Sequence, residues 1–143
     1  MAYCTLQDLK DRYGETELVQ RTDRTHRPAS TIDTVVVQRA IDDATALIDG
    51  YVAKLYVLPM SPVPPVLTRT ASDIARYFLY GNAVDKDGPV AAAHAQALRW
   101  LGQVAAGTVQ LEAAGVAPSA SGGGQIRIAG PDRVMTRDSL GGF

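Results

Sequence analysis

Apolar residues recur along this chain at steps of three and four, and the recurrences fall into separate segments. Leu6, Leu9 and Tyr13 make the first. Thr5, with Asp8 three residues on, is a capping box in which Asp replaces the usual Glu. Gly14 ends or bends this turn, and Glu15, Thr16, Glu17, Leu18 and Val19 predict a second short helix. From Arg21 to Ser30 the periodicity fails. Arg21, Arg24, His26 and Arg27, set among Thr22, Asp23, Thr25 and Pro28, predict a polar, basic loop.

The strongest pattern follows. Val37, Ile41, Ala44, Ile48, Tyr51 and Leu55 recur by fours and threes, and Val36, Ala40, Leu47 and Val52 widen the stripe. The run Val35–Val37 is β-prone locally, but burial of a long amphipathic face overrides such a preference. The expectation is one long helix from about Asp33 to Tyr56, capped by Thr31 or Asp33. Asp42, Asp43, Asp49 and Lys54 lie off the stripe's centre, and Asp42 with Ala46 and Asp49 predicts a solvated face.

Pro59, Pro62, Pro64 and Pro65 then enforce an extended connection, because each fixes φ and restricts its predecessor. Pro65 suits the first turn of a helix. That helix has Leu67, Ala71, Ile74 and Phe78 on its inner face, Ala75 beside them, and Gly81-Asn82 as its close. Asp85, Asp87, Gly88 and Pro89 predict a turn into a last helix capped by Asp87. Val90, Ala93, Ala97, Leu101 and Val104 line that helix until Gly107 stops it. Val109 and Leu111 predict a short apolar return onto the body. The expected fold is therefore all-α: a small bundle of four to five helices around one long central helix, spanning residues 1–115.

Beyond the bundle the composition changes. Pro118, Ser119, Ser121 and Gly122-Gly123-Gly124 mark residues 116–124 as a flexible linker. Residues 125–143 mix apolar and basic side chains, with Ile126, Arg127 and Ile128 alternating as a strand would. Arg133, Val134, Met135, Arg137, Leu140 and Phe143 follow. A purely solvating tail has no use for so many apolar residues, so this segment is expected to be a docking arm.

Composition narrows the function more than it identifies it. The chain has 143 residues, 46% hydrophobic and 20% charged, with a formal net charge of −1. No global excess of charge favours nucleic acid or an anionic membrane. The single Cys4 has no disulfide partner within the chain. The N-terminal residues do not have the basic-then-apolar form of a secretory signal, and no apolar run nears the roughly 20 residues of a membrane span. A soluble, intracellular protein is expected.

Catalytic patterns are sparse. Neither His26 nor His94 has a cysteine, carboxylate or second histidine at metal-ligand spacing, so each is expected to face solvent or be hydrogen-bonded. Cys4 lacks a nearby base and is expected to be an inert, partly buried thiol. Adjacent Asp42 and Asp43 diverge by about 100° around a helix and make no two-carboxylate site. The triple glycine lacks the lysine of a phosphate loop. Trp100 is expected at the core or its rim rather than as a stacking platform. The expectation is a protein without enzymatic activity, metal or cofactor. The basic loop is by default a solvated one, whose Arg21, Arg24, His26 and Arg27 could also meet phosphates or pair with acidic residues of a neighbouring subunit. The subsidiary expectation is that Arg21, Arg24 and Arg27 lie at a subunit interface or a channel wall. A small helical DNA-binding regulator is the main alternative, yet the long helix offers it only Gln38, Arg39 and Lys54. An assembly chaperone is a further one.

One family matches this order of elements. The carrying residues are the long helix ending Tyr51-Val52-Ala53-Lys54-Leu55-Tyr56, then Asp73-Ile74-Ala75-Arg76-Tyr77-Phe78-Leu79-Tyr80. Ala97-Leu98-Arg99-Trp100-Leu101, Ala106-Gly107-Thr108-Val109-Gln110-Leu111 and the closing Thr136-Arg137-Asp138-Ser139-Leu140 complete the set. Across essentially its whole length the chain resembles the small Mu-like prophage proteins encoded among head-morphogenesis genes. More broadly it resembles the head–tail connector, adaptor or head-completion proteins of tailed phages. That resemblance implies a homo-oligomeric ring of twelve subunits in the virion neck, assembled in the host cytoplasm. It implies a portal protein on one side, a tail-side neck or stopper protein on the other, and DNA passing non-specifically through the channel. The C-terminal segment would hold the portal.

Overall fold

A computed structural model describes residues 1–111. Five α-helices make up the body: α1 (Leu6–Tyr13), α2 (Glu15–Thr22), α3 (Thr34–Val52), α4 (Pro65–Tyr80) and α5 (Pro89–Ala105). A 3₁₀ turn, Gly81–Ala83, follows α4. The all-α expectation holds. The expected linker (116–124) and docking arm (125–143), with all nine of its named residues, lie outside the described residues.

Local signals set most helix ends. Thr5 and Asp8 form the capping box in full: the Thr5 backbone N–H donates to the Asp8 carboxylate at 2.7 Å, and the Asp8 N–H donates to Thr5 Oγ1 at 3.2 Å. Asp33, not Thr31, caps α3, its Oδ1 accepting from the N–H groups of Val35 and Val36 at 3.0 and 3.3 Å. Pro65 opens α4, and Gly81 closes it at φ +50°, a conformation that disfavours a side chain.

Four expectations need correction. Helix α3 ends at Val52 rather than Tyr56; the Val52 carbonyl accepts both the Leu55 and Tyr56 N–H groups, which tightens the chain into a turn before the prolines. Helix α2 runs on to Thr22, so Arg21 belongs to a helix and not to the loop. Gly88, not Asp87, caps α5, without a side-chain bond, because Pro89 occupies the first helical position. The fourth concerns α4, where Leu79 is buried at 7% exposure and Phe78 is only partly covered.

The core lies where α3, α4 and α5 meet. Ile41, Ala44, Ile48 and Val52 of α3 pack with Leu67, Ala71, Ile74 and Ala75 of α4 and Leu101 of α5. Each fully buried large aliphatic residue contributes about 1.5–3 kcal/mol by leaving water. The alanines let helix backbones approach closely. Helices α1 and α2 lie across this unit, joined to it through Leu9 and Leu18. Leu111 returns to the body as expected, its N–H donating to Tyr56 Oη at 2.8 Å. Among the described residues no helix is long and apolar enough to cross a membrane.

Candidate interaction surface

Polar side chains in this body are used first to fasten helices together. Tyr13 Oη on α1 donates to Asp73 Oδ1 on α4 at 2.6 Å. Burial, and then the adjacent Asp73 carboxylate, push the Tyr13 hydroxyl above its ordinary pKa. Arg76, one turn along α4, grips Glu17 of α2 with both arms of a fork, Nε to Oε1 at 2.6 Å and Nη2 to Oε2 at 2.8 Å. The same guanidinium lies 4.4 Å from the centre of the Tyr13 ring. Hydrogen bonding to Glu17 raises the Arg76 pKa further. Tyr3 donates to Asp49 of α3, so Asp49 does not belong to the solvated face expected of it. Asp42 and Ala46 of that face do remain exposed, as does Asp43.

The basic segment between α2 and α3 is organised by one carboxylate. Asp23 accepts backbone N–H groups from Thr25, His26, Ser30 and Thr31 at 3.0–3.1 Å. Its side chain is only 2% exposed. Donation from the N–H groups of Ser30 and His26, chiefly, holds its pKa well below the ordinary carboxylate range. The neighbouring Thr22 is fully buried; its hydroxyl donates to the Leu18 carbonyl and accepts the Asp33 N–H. The loop is thus fixed at both ends and at its middle, which its polar, basic composition does not announce.

This arrangement separates the three candidate arginines. Arg24 and Arg27 are exposed on the Asp23-centred loop. Arg21 is partly buried on α2, its guanidinium stacked 4.0 Å over the ring of Tyr80 from α4. His26, also in the loop, faces solvent and contacts Asp23 through Nδ1 at 2.9 Å, in accord with expectation. His94 departs from it. Its ring stacks on Tyr77 with centroids 3.8 Å apart, and its shielded Nε2 has no partner among the described residues. Burial lowers its pKa, which favours the neutral ring.

Sequence reasoning missed Asp23, Tyr13, Asp73, Arg76 and Tyr80 as participants. A signal existed only for Asp23, since Asp followed by Thr two residues on favours a side-chain-to-backbone turn. Cys4 is more deeply buried than expected, at 2% exposure, and burial pushes its thiol up to about 11. Trp100 sits at the rim of the core, beside a concavity between α4 and α5. The exposed α3 face bearing Gln38 and Arg39 suits DNA poorly: Gln38 donates to Asp42 at 2.9 Å, and Asp43 adds a second negative charge.

Known proteins share this sequence pattern. A family model described as Bacteriophage Mu, Gp36 matches residues 3–128. Gene product J of Escherichia phage Mu is 36% identical over 104 residues, covering 73% of this chain and 72% of that protein. The Mu-like prophage FluMu protein gp36 of Haemophilus influenzae is 40% identical over 84 residues, covering 58% of this chain and 57% of that protein.

Proposed function

The chain belongs to the bacteriophage Mu Gp36 family, and from that premise we propose that it is a non-enzymatic structural protein of the virion neck. In this reading identical subunits form a ring beneath the portal, join capsid to tail and continue the DNA channel. The ring is expected to hold twelve copies, and a tail-side stopper protein to meet its other face.

The observation that carries the reading is the Asp23-centred loop. A single carboxylate holds four backbone N–H groups so that Arg24 and Arg27 project from a body tied together by Tyr13–Asp73 and Arg76–Glu17. Exposed arginines on a backbone held in place suit contact with a neighbouring subunit or with passing phosphates, where the loop's position must repeat from copy to copy. Residues 125–143 supply the arm that would hold the portal.

Electron microscopy of purified virions of a Mu-like phage carrying this protein tests the proposal. Density for the chain is expected between portal and tail, and a phage lacking it should accumulate separate heads and tails. Absence of the protein from finished virions would refute the connector role and favour an assembly chaperone. Deleting residues after Ser121 should leave a helical body that no longer attaches to the portal.

A further inference from the structure

Helix α3 meets α1, α2, α4 and α5 with its inner side. Its outer side is left open among the described residues: Val35, Gln38, Arg39, Asp42, Asp43 and Ala46 are all exposed. Val35 is a large apolar side chain at 66% exposure. With Gln38, Arg39 and Asp42 it borders a shallow concavity. Asp42 accepts a hydrogen bond from Gln38, but no cation pairs with Asp42 or Asp43 among the described residues.

The basic loop is the converse. Arg24 and Arg27 are exposed, and neither has an anionic partner among the described residues. The loop's own acid, Asp23, is spent on backbone N–H groups and on His26. Nor does the loop reach the acids of its own chain. The Thr22–Asp33 contact anchors it at the start of α3, and Asp42 lies about 14 Å further along that helix. Each copy therefore carries a basic loop and an acidic face that do not satisfy each other.

We propose that the outer face of α3 docks the Arg24–Arg27 loop of a second copy of this chain. Asp42 and Asp43 together outweigh Arg39, so the face stays net negative and attracts the loop, whose guanidinium forks match carboxylates. Pro28, exposed beside Arg27, offers Val35 an apolar counterpart that a phosphate lacks. Covering Val35 and Ala46 also removes water that would otherwise screen the ion pairs. Because the two patches differ, the contact runs head to tail, the kind that builds a ring when the rotation closes. The inference rests on the reading that copies adjoin in the neck, and it names the surfaces that meet.

Sedimentation velocity of the concentrated full chain at low salt tests it, since exposed ion pairs are least screened there. Weak self-association that fades with added salt is expected. Arg24→Glu with Arg27→Glu should weaken it by about tenfold or more with unchanged circular dichroism, and so should Asp42→Arg with Asp43→Arg. Mixing the two doubly substituted chains should restore association, because each then offers the charge that the other lacks. Short duplex DNA is the parallel probe. A wild type that stays monomeric, a mixture that stays monomeric, or a loop reversal that abolishes DNA binding but leaves self-association unchanged would each overturn the proposal. Any of these leaves the neck position, read by electron microscopy, standing.

Discussion

Tyr13 and Asp73 are 60 residues apart in sequence and 2.6 Å apart in the fold, joined hydroxyl to carboxylate between α1 and α4. Beside them the Arg76 guanidinium covers the Tyr13 ring while gripping Glu17. One cluster therefore ties the two short N-terminal helices to the core. This matters because eight-residue helices are not stable alone and owe their persistence to tertiary contacts.

Tyr13→Phe should destabilise the protein by about 1–3 kcal/mol, since it leaves a partly buried carboxylate short of a donor. Adding Asp73→Asn should recover part of that loss. A double-mutant cycle from urea denaturation checks it, and additive effects would show that the pair is uncoupled.

Asp23→Ala should free the basic loop and leave the helices in place. Trypsin is expected to cut after Arg24 faster than in the wild type, whereas Arg27 is protected by the following Pro28. The pH dependence has a defined sign. Because the folded pKa is depressed, the stabilisation is present above the unfolded value of about 4 and fades as pH falls below it. Carbon NMR of the carboxylates should find Asp23 still charged at about pH 3.

Alkaline pH should act in the opposite sense. Burial raises the Cys4 thiol to about 11 and also raises Tyr3 and Tyr13. The folded chain thus keeps protons that the unfolded chain releases, so stability falls as pH rises past about 8.5. Urea midpoints at neutral and alkaline pH measure the effect, and Cys4→Ala should flatten its first part. Thiol reagents should react with Cys4 only once denaturant exposes it.

Ile48→Ala, at a fully buried position of α3, should cost about 2–5 kcal/mol through lost burial and a residual cavity. Val35→Ala on the same helix, at 66% exposure, should change stability by less than about 0.5 kcal/mol. Thermal denaturation of the two variants compares them directly.

The helices were legible because their signals are local. Thr5 and Asp8, Asp33, Pro65 and Gly81 act within one turn of where they stand. The stripe from Val37 to Val52 specifies a buried face whatever packs against it. The misplaced ends at Tyr56 and Asp87 lie where two local signals compete, apolar periodicity against approaching prolines in one case and an aspartate against Gly-Pro in the other.

The candidate surface was legible only in part. Its basic loop could be located from composition, but not the burial of Asp23 at its centre. That required the chain to close on itself between Thr22 and Asp33. Nor did the three arginines announce their different fates. The sequence by itself determined an all-α bundle of four to five helices, most of their principal caps and a basic break between the second and third. Tertiary structure alone decided that Arg21 stacks on Tyr80, that Arg76 clasps Glu17 and that Tyr13 meets Asp73. The physical reason is reach: caps and periodicity act over three or four residues, whereas these partners are chosen by which helix faces the core brings together.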